Sequence, residues 1–571
     1  MNTAPHKKTA PRNGKKSTPS AAFWLGVLLV IAGILGLLWQ FLPQKTTTLD
    51  SVFPAKTAVF AELELSGDFF KQFKTLSGSE FQMVAKESLE HWIPNGNFDQ
   101  LDRWIGNRAG IALLPEGEIL VATRYQSRHR AEEFLQQFLV SGESFAREEI
   151  EEPIKAEILT PAYSSTVAFA FYRQWLIFST NHETLSAALR TPEKLQDNPL
   201  FQKVQKDFSP GANAVVFFQA KESVERFFSE ESFSAQLPVL RAVANAIPAG
   251  GTTLQWKESR LVLQSKFLTE EGVFSADTAA KQPEKIIPQL SQFAPKDGLL
   301  FLNGSDLYEK YRHTREFLSD FHPQFAIIFD GILRNQSREI FGEKFDFEKD
   351  FLAKMHGQYS LVLNFADPAE PFVHLTLITG YGGPDREKNL AELTDVIHFA
   401  QSQFATEVRE VPLPDGSVRE ELVAKDPREI PIKKEILGGQ EYYAAENVAN
   451  HKKFSYGFFD GYLIFSTHEQ GIRDAYTARQ TPSASLAQNA DFRESVLFDF
   501  SAANSYGFVH LGKVLNLIEF SEQLRLTPPQ DLGGTSLGKT LLRGFRNATF
   551  ARKTLPGQVL WTTILRMRGG K

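Results

Sequence analysis

The chain has 571 residues and a formal net charge of −6, and it contains no cysteine. The lack of cysteine excludes structural disulfides, thiolate metal sites and cysteine nucleophiles. A hydrophobic content of 42% with 23% charged residues is typical of globular protein, and the length suggests more than one domain.

Residues 1–20 are polar, basic and proline-containing, and we predict that they are disordered. Residues 21–42, AAFWLGVLLVIAGILGLLWQFL, follow without a charged side chain. At a rise of about 1.5 Å per residue they make a helix of roughly 33 Å, which crosses a bilayer core of about 30 Å. Trp24 and Trp39 lie near its ends, where indole rings favour the headgroup region. We therefore predict a transmembrane helix at 21–42.

The charges around this segment predict its orientation. The tail carries five positive charges and no acidic residue, which leaves −11 for the rest of the chain. Because basic residues stay on the cytoplasmic side, we expect a cytoplasmic tail and a periplasmic or extracellular bulk. A cleaved signal peptide has a shorter apolar region that ends in small residues, so a signal anchor in the bacterial inner membrane is the better interpretation.

The same segments suggest partners. The apolar helix contacts membrane lipid. A second helix could approach it closely and form a homodimer at its small residues, which are Gly26, Ala32, Gly33 and Gly36. The acidic ectodomain argues against nucleic acid as a partner.

After a stalk at 43–52, a first module is predicted over residues 53–268. Its alternating apolar residues predict strands, and helical spacing predicts helices between them, including one over Ser127–Val140. The predicted strands are Val59–Leu65, Gly110–Leu114, Ile119–Thr123, Ala156–Leu159, Thr166–Tyr172, Trp175–Ser179, Ala214–Gln219, Thr252–Lys257 and Arg260–Phe267.

The pattern begins again after a charged, proline-containing linker at 269–292. QWLIFSTNHETLSAAL from Gln174 matches GYLIFSTHEQGIRDAY from Gly461, at an offset of 287 positions, and ANAVVFF from Ala212 matches ANSYGFV from Ala503, at an offset of 291. Nearly equal offsets indicate an internal duplication, with a second module over 293–568. The predicted fold is α+β: a transmembrane helix followed by two related modules with mostly antiparallel sheets and packed helices.

These features together resemble a bacterial family known as domain of unknown function 3352. The matching pieces are the basic tail and span, Phe53-Pro54-Ala55, the strand-turn-helix element at Leu176, and Ser485-Leu486-Ala487. The resemblance covers most of the ectodomain. Because the family is uncharacterised, the resemblance implies no site residues.

Both LIFST elements continue into a histidine beside a glutamate, at His182-Glu183 and His468-Glu469. Such a pair invites a metal or acid–base hypothesis. However, Thr180 and Ser466 each lie three residues before the glutamate, which is the spacing of a helix capping box. We therefore predict two helix starts at these positions.

Residues 533–540, GGTSLGKT, match the phosphate-loop pattern. A phosphate loop needs a strand before it, whereas TPPQD precedes this one, so we predict a loop that binds no nucleotide. The same stretch places Ser536 and Lys539 at the spacing of envelope acyl enzymes. The companion Ser179-x-Asn181 lies far upstream instead of downstream, so an envelope serine hydrolase that uses Ser536 and Lys539 is the alternative hypothesis.

Two further clusters are interpreted as ordinary surface. Glu309 and His313 lie one helical turn apart without a third ligand at a suitable spacing. Asp346, Glu348 and Asp350 alternate without a calcium-loop glycine. We predict no catalytic, cofactor or metal residues, and a non-enzymatic envelope protein whose ectodomain binds or scaffolds an unidentified protein or ligand, with the space between the two modules as a candidate cleft.

Overall fold

The computed structural model describes eighteen stretches of the chain: 48–65, 104–115, 117–138, 145–151, 155–161, 168–179, 181–208, 211–227, 237–270, 288–321, 323–341, 345–367, 370–402, 406–426, 429–447, 452–499, 503–523 and 542–568. Among these residues no helix has the length and apolar character to cross a membrane. The predicted span at 21–42 lies outside them. The described residues from Leu49 onward belong to one structural unit.

The fold is α+β, as predicted, and its main element is an antiparallel sheet of 20 strands. In chain order the strands are β1 (Val59–Glu64), β2 (Ile105–Leu113), β3 (Ile119–Tyr125), β4 (Phe145–Ile150), β5 (Ala156–Pro161), β6 (Ala168–Tyr172), β7 (Trp175–Ser179), β8 (Ala214–Gln219), β9 (Ala249–Lys257), β10 (Arg260–Leu268), β11 (Leu300–Ser305), β12 (Met355–Asp367), β13 (Glu370–Tyr381), β14 (Thr406–Pro412), β15 (Val418–Ala424), β16 (Lys433–Leu437), β17 (Gln440–Glu446), β18 (Lys453–Phe459), β19 (Tyr462–Ser466), β20 (Ser505–Val509), β21 (Phe545–Leu555) and β22 (Gln558–Met567). Strands β14 and β15 form a separate hairpin.

The described α-helices are α1 (Arg128–Phe138), α2 (His182–Arg190), α3 (Pro199–Gln205), α4 (Ala220–Phe227), α5 (Leu237–Ala246), α6 (Leu307–Phe321), α7 (Pro323–Phe341), α8 (Arg386–Ser402), α9 (Glu469–Gln480), α10 (Ala490–Glu494) and α11 (Leu511–Gln523). Short π-helical turns at Phe347–Phe351 and Ser495–Asp499 also occur.

The two halves of the sheet have the same strand order. The first runs β4-β5-β6-β7-β3-β2-β1-β8-β9-β10. The second runs β16-β17-β18-β19-β13-β12-β11-β20-β21-β22. Each strand of the first half therefore has a counterpart in the second, and the registers superpose Ser179 on Ser466.

The halves meet where β10 pairs antiparallel with β22. Arg260 lies opposite Arg566, Leu268 lies opposite Gln558, and Gln264 lies opposite Thr562. Equivalent residues of β10 and β22 lie 298 positions apart in the sequence, so Thr562 is the residue of the second half that is equivalent to Gln264. These two residues also lie opposite each other, so the pairing is symmetric about them. The junction is thus a continuous strand ladder rather than an open cleft between separate sheets.

Matching sets of phenylalanines hold helices against one face of each half. In the first half Phe201 of α3 makes edge-to-face contacts with Phe60 and Phe217, at centroid distances of 5.8 and 5.0 Å. In the second half Phe492 of α10 contacts Phe301 and Phe508 in the same geometry, at 5.7 and 6.2 Å. All six side chains are at most 2% exposed, so burial of large apolar rings fixes the same core twice.

The sequence predicted most strands of the first half to within a few residues. It missed β4, whose sequence FAREEI carries three charged residues and lacks a clear apolar alternation. It also missed the hairpin β14–β15, because charged residues interrupt the apolar positions in both strands. Within the predicted linker, Leu290 is fully buried and Thr269 donates its backbone N–H to Gly557, so the described ends of this segment pack against the body.

Candidate functional site

The two LIFST elements do begin helices, as the sequence predicts, but other residues cap them. Helix α2 is capped by Asn181, whose Oδ1 accepts from the backbone N–H of Glu183 at 2.8 Å. Helix α9 is capped by His468, whose Nδ1 accepts from the N–H of Gln470 at 3.1 Å. Thr180 lies outside the described residues. The predicted capping boxes are therefore corrected to single side-chain caps, one residue after Thr180 in the first element and two residues after Ser466 in the second.

The histidine–glutamate neighbours have separate partners. His182 Nε2 lies 2.8 Å from Glu148 Oε2 on β4, and both side chains are partly buried. Glu469 accepts from Tyr442 Oη at 2.7 Å and from Arg473 Nε at 3.1 Å. These two hydrogen bonds hold the pKa of Glu469 below its ordinary value.

Beneath α9 lies a polar group that we call the His374 cluster, consisting of Asn364, His374, Thr376, Ser466, Gln470 and Asp474. His374 Nε2 lies 3.4 Å from Asp474 Oδ2, and its Nδ1 lies 3.4 Å from Thr376 Oγ1. Thr376 donates to Ser466 Oγ at 3.0 Å. Four separate elements, β12, β13, β19 and α9, bring these groups together.

The carboxylate of Asp474 is the charged centre of the His374 cluster. Asn364 Nδ2 donates to its Oδ2 at 2.8 Å, and Gln470 Nε2 donates to its Oδ1 at 2.7 Å. Burial acts to raise the pKa of Asp474, but His374 and the two amide donors outweigh burial and hold the pKa below its ordinary value. Asp474 therefore remains ionised at neutral pH.

A half-buried lysine lies on the N-terminal turn of α11 near this carboxylate. Burial lowers the pKa of Lys513, and the charges of Asp297 and Asp474 partly offset that effect. Burial together with Lys513 also lowers the pKa of the neighbouring His510. The carboxylate of Asp474 thus favours the charged form of Lys513 at the edge of the His374 cluster.

A glycine permits the close approach of α9 to the sheet. A Cβ atom at Gly471 would lie 2.1 Å from Ser466 Oγ and 2.3 Å from Thr376 Oγ1. Any side chain at this position would push the helix away from the two hydroxyls. Gly471 therefore sets the geometry of the cluster.

A hydroxyl, an imidazole and a carboxylate in sequence resemble the machinery of a hydrolase. Here His374, Thr376 and Ser466 are at most 2% exposed, and Ser466 donates its hydrogen to the backbone carbonyl of Leu375. A substrate would have no access to these hydroxyls without separation of α9 from the sheet. The cluster acts as a structural network that ties α9 to β13.

A concave region lies along α6 and α7. Two adjoining cavities of about 280 and 560 Å³ share Asp330 and Glu348 in their walls. Arg315 Nε lies 2.9 Å from Asp330 Oδ2, and Tyr311 Oη donates to Asp330 Oδ1 at 3.0 Å. Burial and the nearby Asp330 raise the pKa of Tyr311, which keeps its hydroxyl protonated as a donor. We call this region the α6–α7 groove.

Large apolar side chains continue the α6–α7 groove onto the surface of α7. Ile327, Ile328 and Ile332 are 68%, 54% and 57% exposed. Their spacing places them on one face of the helix, and Ile327 also lines the larger cavity. Polar walls and an apolar rim therefore adjoin at this place.

The remaining predicted positions behave as surface or lie elsewhere. Glu309 and His313 are exposed on α6, and the described residues contain no cluster suited to a metal. Asp346 caps the turn at Phe347–Phe351 by accepting from the N–H of Lys349. The phosphate-loop match at 533–540, with Ser536 and Lys539, lies outside the described residues.

Sequence reasoning missed the His374 cluster and the α6–α7 groove. Asn364, His374 and Asp474 are distant in the chain, and none belongs to a recognisable motif. The only available signal was the three isoleucines of α7, which interrupt an otherwise polar helix face.

Comparison with known proteins places the chain in a family. The family model described as "Protein of unknown function (DUF3352)" matches residues 24–552. No curated protein gives a significant match. Among solved structures, crystal forms I and III of TP0453 share 8% and 7% sequence identity with this chain, each with a TM-score of 0.24, covering 40% of this chain and 80% and 81% of the other. A likeness this slight carries no argument about fold or function.

Proposed function

Because the chain belongs to the family described as Protein of unknown function (DUF3352), its role has to come from its own residues, and we propose that it is a non-enzymatic binding or scaffolding protein of the bacterial cell envelope. In this proposal the helix at 21–42 anchors it in the inner membrane. The tail at 1–20 lies in the cytoplasm, and two related α+β modules, 53–268 and 293–568, lie in the periplasm. The exposed isoleucine face beside the α6–α7 groove carries the proposal.

Exposed isoleucines on one helix face are unfavourable in water. Burial of apolar surface contributes about 25 cal/mol per Å², and contiguous exposed patches mark interaction sites. Ile327, Ile328 and Ile332 are each more than half exposed. A partner that covers this face would remove the isoleucine side chains from water, and this burial would favour binding.

The polar walls of the groove would orient that partner. Arg312, Arg315 and Glu316 line the larger cavity beside Ile327, so both signs of charge lie next to an apolar rim. Protein-binding surfaces combine an apolar centre with a polar margin in this way. The expected partner is an envelope protein with a complementary apolar segment.

In the direct test, the full chain carries a photo-crosslinking amino acid at position 328 and is reconstituted in proteoliposomes. We expect one defined envelope protein to be captured from an envelope extract. The variant Ile328→Ser/Ile332→Ser should weaken its binding about tenfold or more, because each buried isoleucine contributes roughly 1.5–3 kcal/mol.

The matched control is Ile436→Ser, since Ile436 is 69% exposed but lies on the separate strand β16. This variant should bind as the wild type does. Equal binding by the wild type, Ile328→Ser/Ile332→Ser and Ile436→Ser would refute the assignment of the partner to this face. Crosslinks spread over many envelope proteins would refute it as well.

Two further experiments test the remaining parts of the proposal. Protease added to intact spheroplasts should digest the region after residue 42 and spare the tail; the reverse pattern would contradict the orientation. An acyl-serine probe should label the wild type and Ser536→Ala equally. Labelling that disappears in Ser536→Ala would favour the envelope hydrolase instead.

A further inference from the structure

The hairpin β14–β15 stands apart from the rest of the fold. Its strands pair only with each other, in a two-stranded sheet separate from the main one. It occupies the connection between Ser402, the last residue of α8, and Lys433, the first residue of β16. The corresponding connection in the first half, from Phe138 to Phe145, contains only six residues. The second half therefore carries an additional arm.

One face of this hairpin exposes apolar side chains. Residues opposite each other in an antiparallel pair project to the same side, and the register pairs Val408 with Leu422 and Pro412 with Val418. Val408, Val418 and Leu422 are 60%, 58% and 75% exposed. We call this surface the Val408 face; it comprises Val408, Glu410, Pro412, Val418, Glu420 and Leu422.

Two carboxylates lie at the centre of the Val408 face. Glu410 lies directly opposite Glu420, between the two apolar pairs. Both are exposed, and no described residue forms an ion pair with either. Like charges directly opposite each other destabilise a strand pair. The isolated hairpin therefore holds an uncompensated negative charge within an apolar surface.

The opposite face has its charges balanced. Arg409 lies 2.7 Å from Glu407, and Arg419 lies 3.7 Å from Glu421. The net charge of −2 on the Val408 face is therefore a property of that face alone. This contrast points to a cationic group that the Val408 face receives from outside the hairpin.

We propose that the Val408 face is a docking surface for a protein segment in which apolar side chains flank a lysine or arginine. Successive rows of the face are two residues apart, or about 6.8 Å along the strand. An extended segment with apolar, basic and apolar residues at alternate positions matches this spacing. Its cation would lie between Glu410 and Glu420, and its apolar side chains would cover the two apolar pairs.

Charge decides among the possible occupants. An anionic lipid surface would be repelled by Glu410 and Glu420. A second copy of the same face would bring four carboxylates together, which is also unfavourable. An isolated two-stranded hairpin is only marginally stable in water, so a bound basic segment would also order the arm.

The test uses the full chain in lipid nanodiscs and two short synthetic peptides. The first has leucine, lysine and leucine at alternate positions, and the second has glutamate in place of the lysine. We expect the lysine peptide to slow amide hydrogen exchange in residues 406–424 and to bind at least tenfold more tightly than the glutamate peptide.

Matched variants localise the effect. Glu410→Gln/Glu420→Gln and Val408→Ser/Leu422→Ser should each weaken binding of the lysine peptide about tenfold. Glu407→Gln/Glu421→Gln makes the same charge change on the opposite face and should leave binding unchanged. All of these side chains lie on the projecting arm, so circular dichroism and thermal unfolding of the body should not change.

Other outcomes would overturn the proposal. Equal affinity for the two peptides would remove the charge argument, and equal binding by the two glutamine variants would remove the assignment to this face. Tighter association of the arm with phosphatidylglycerol than with phosphatidylcholine vesicles would indicate a lipid surface. Dimerisation lost in Val408→Ser/Leu422→Ser would indicate a second copy. The variants at Ile328 and Ile332 leave this arm intact, so the two surfaces are tested separately.

Discussion

The two halves of this protein share ten strands in the same order, yet they differ at three places. The second half has the six-residue His374 cluster where the first has apolar side chains at three of the six positions, an apolar core residue where the first has a lysine, and a hairpin where the first has a short connection. The shared topology shows what the fold requires. The differences show where one half could diverge without loss of that fold.

The polar cluster illustrates this most clearly. Strand registers place Leu114 and Leu120 of the first half at the positions of Asn364 and Thr376, and the sequence offset of 287 positions places Ala187 at that of Asp474. Leu114 and Leu120 are almost fully buried. The first half keeps Ser179 at the position of Ser466 but lacks the polar side chains at the other three positions, so its helix is attached without those hydrogen bonds.

The largest expected effect concerns the β10–β22 junction. Ile564 is fully buried, while its counterpart Lys266 is 2% exposed and bonds to Asp207 and the carbonyl of Lys203. Ile564→Lys should lower the free energy of unfolding by about 3–5 kcal/mol, because it buries a charge without a partner. Lys266→Ile should change it by less than about 1 kcal/mol. Urea denaturation of both variants measures the difference, and a tolerated Ile564→Lys would contradict it.

The next effect concerns the His374 cluster. Asp474→Ala should lower the free energy of unfolding by about 3 kcal/mol, because it leaves two amide donors without their acceptor and removes the carboxylate beside a buried imidazole. Ala187→Asp at the exposed counterpart should change it by less than about 0.5 kcal/mol. Equal effects at the two positions in denaturant titrations would show that the halves do not differ here.

A third variant tests the close approach of α9. Gly471→Ala should lower the free energy of unfolding by about 2 kcal/mol, because its Cβ overlaps two hydroxyls in a packed core. Thr184→Ala at the counterpart in α2 should be within about 0.5 kcal/mol of the wild type. Thermal unfolding can measure both, and a neutral Gly471→Ala would mean that the helix moves freely away from the sheet.

Acid should lower the free energy of unfolding through the protonation of Asp474. Its pKa in the folded chain is below the ordinary value of 3.8, so its contribution is complete above that pH and is lost as the pH falls through the lower, folded value. The difference in free energy of unfolding between the wild type and Asp474→Asn should therefore shrink below pH 3.8. A constant difference down to lower pH would contradict this linkage. Glu469 also has a lowered pKa, caused by other partners, but it is present in both proteins. Its contribution therefore cancels in the difference between the wild type and Asp474→Asn.

The smallest expected effect concerns the additional arm. Replacement of residues 406–424 by a short glycine-serine turn should change the free energy of unfolding by less than about 0.5 kcal/mol, because the arm pairs only with itself. Denaturation of the shortened chain measures this. A larger loss would show that the arm supports the body.

Much of the fold was accessible from the sequence. The alternation in Val59–Glu64 and Trp175–Ser179, and the two offsets of 287 and 291 positions, predicted antiparallel strands and a duplication. These signals are local, because a strand with one buried face must alternate its side chains and a copied core must repeat its phenylalanines. The histidine beside each LIFST element also lay at a helix start, as predicted, although His468 itself is the cap.

The strand pattern, the repeat and the charge asymmetry around an apolar segment can be read from the sequence, because each depends on residues close together in the chain. The folded chain was needed to show that β10 pairs with β22, that Asp474 lies beside His374, and that Glu410 lies opposite Glu420. Those contacts depend on strand register and on helix approach. A shift of one residue would reverse the face of every side chain, and no local pattern specifies which distant strand supplies the partner.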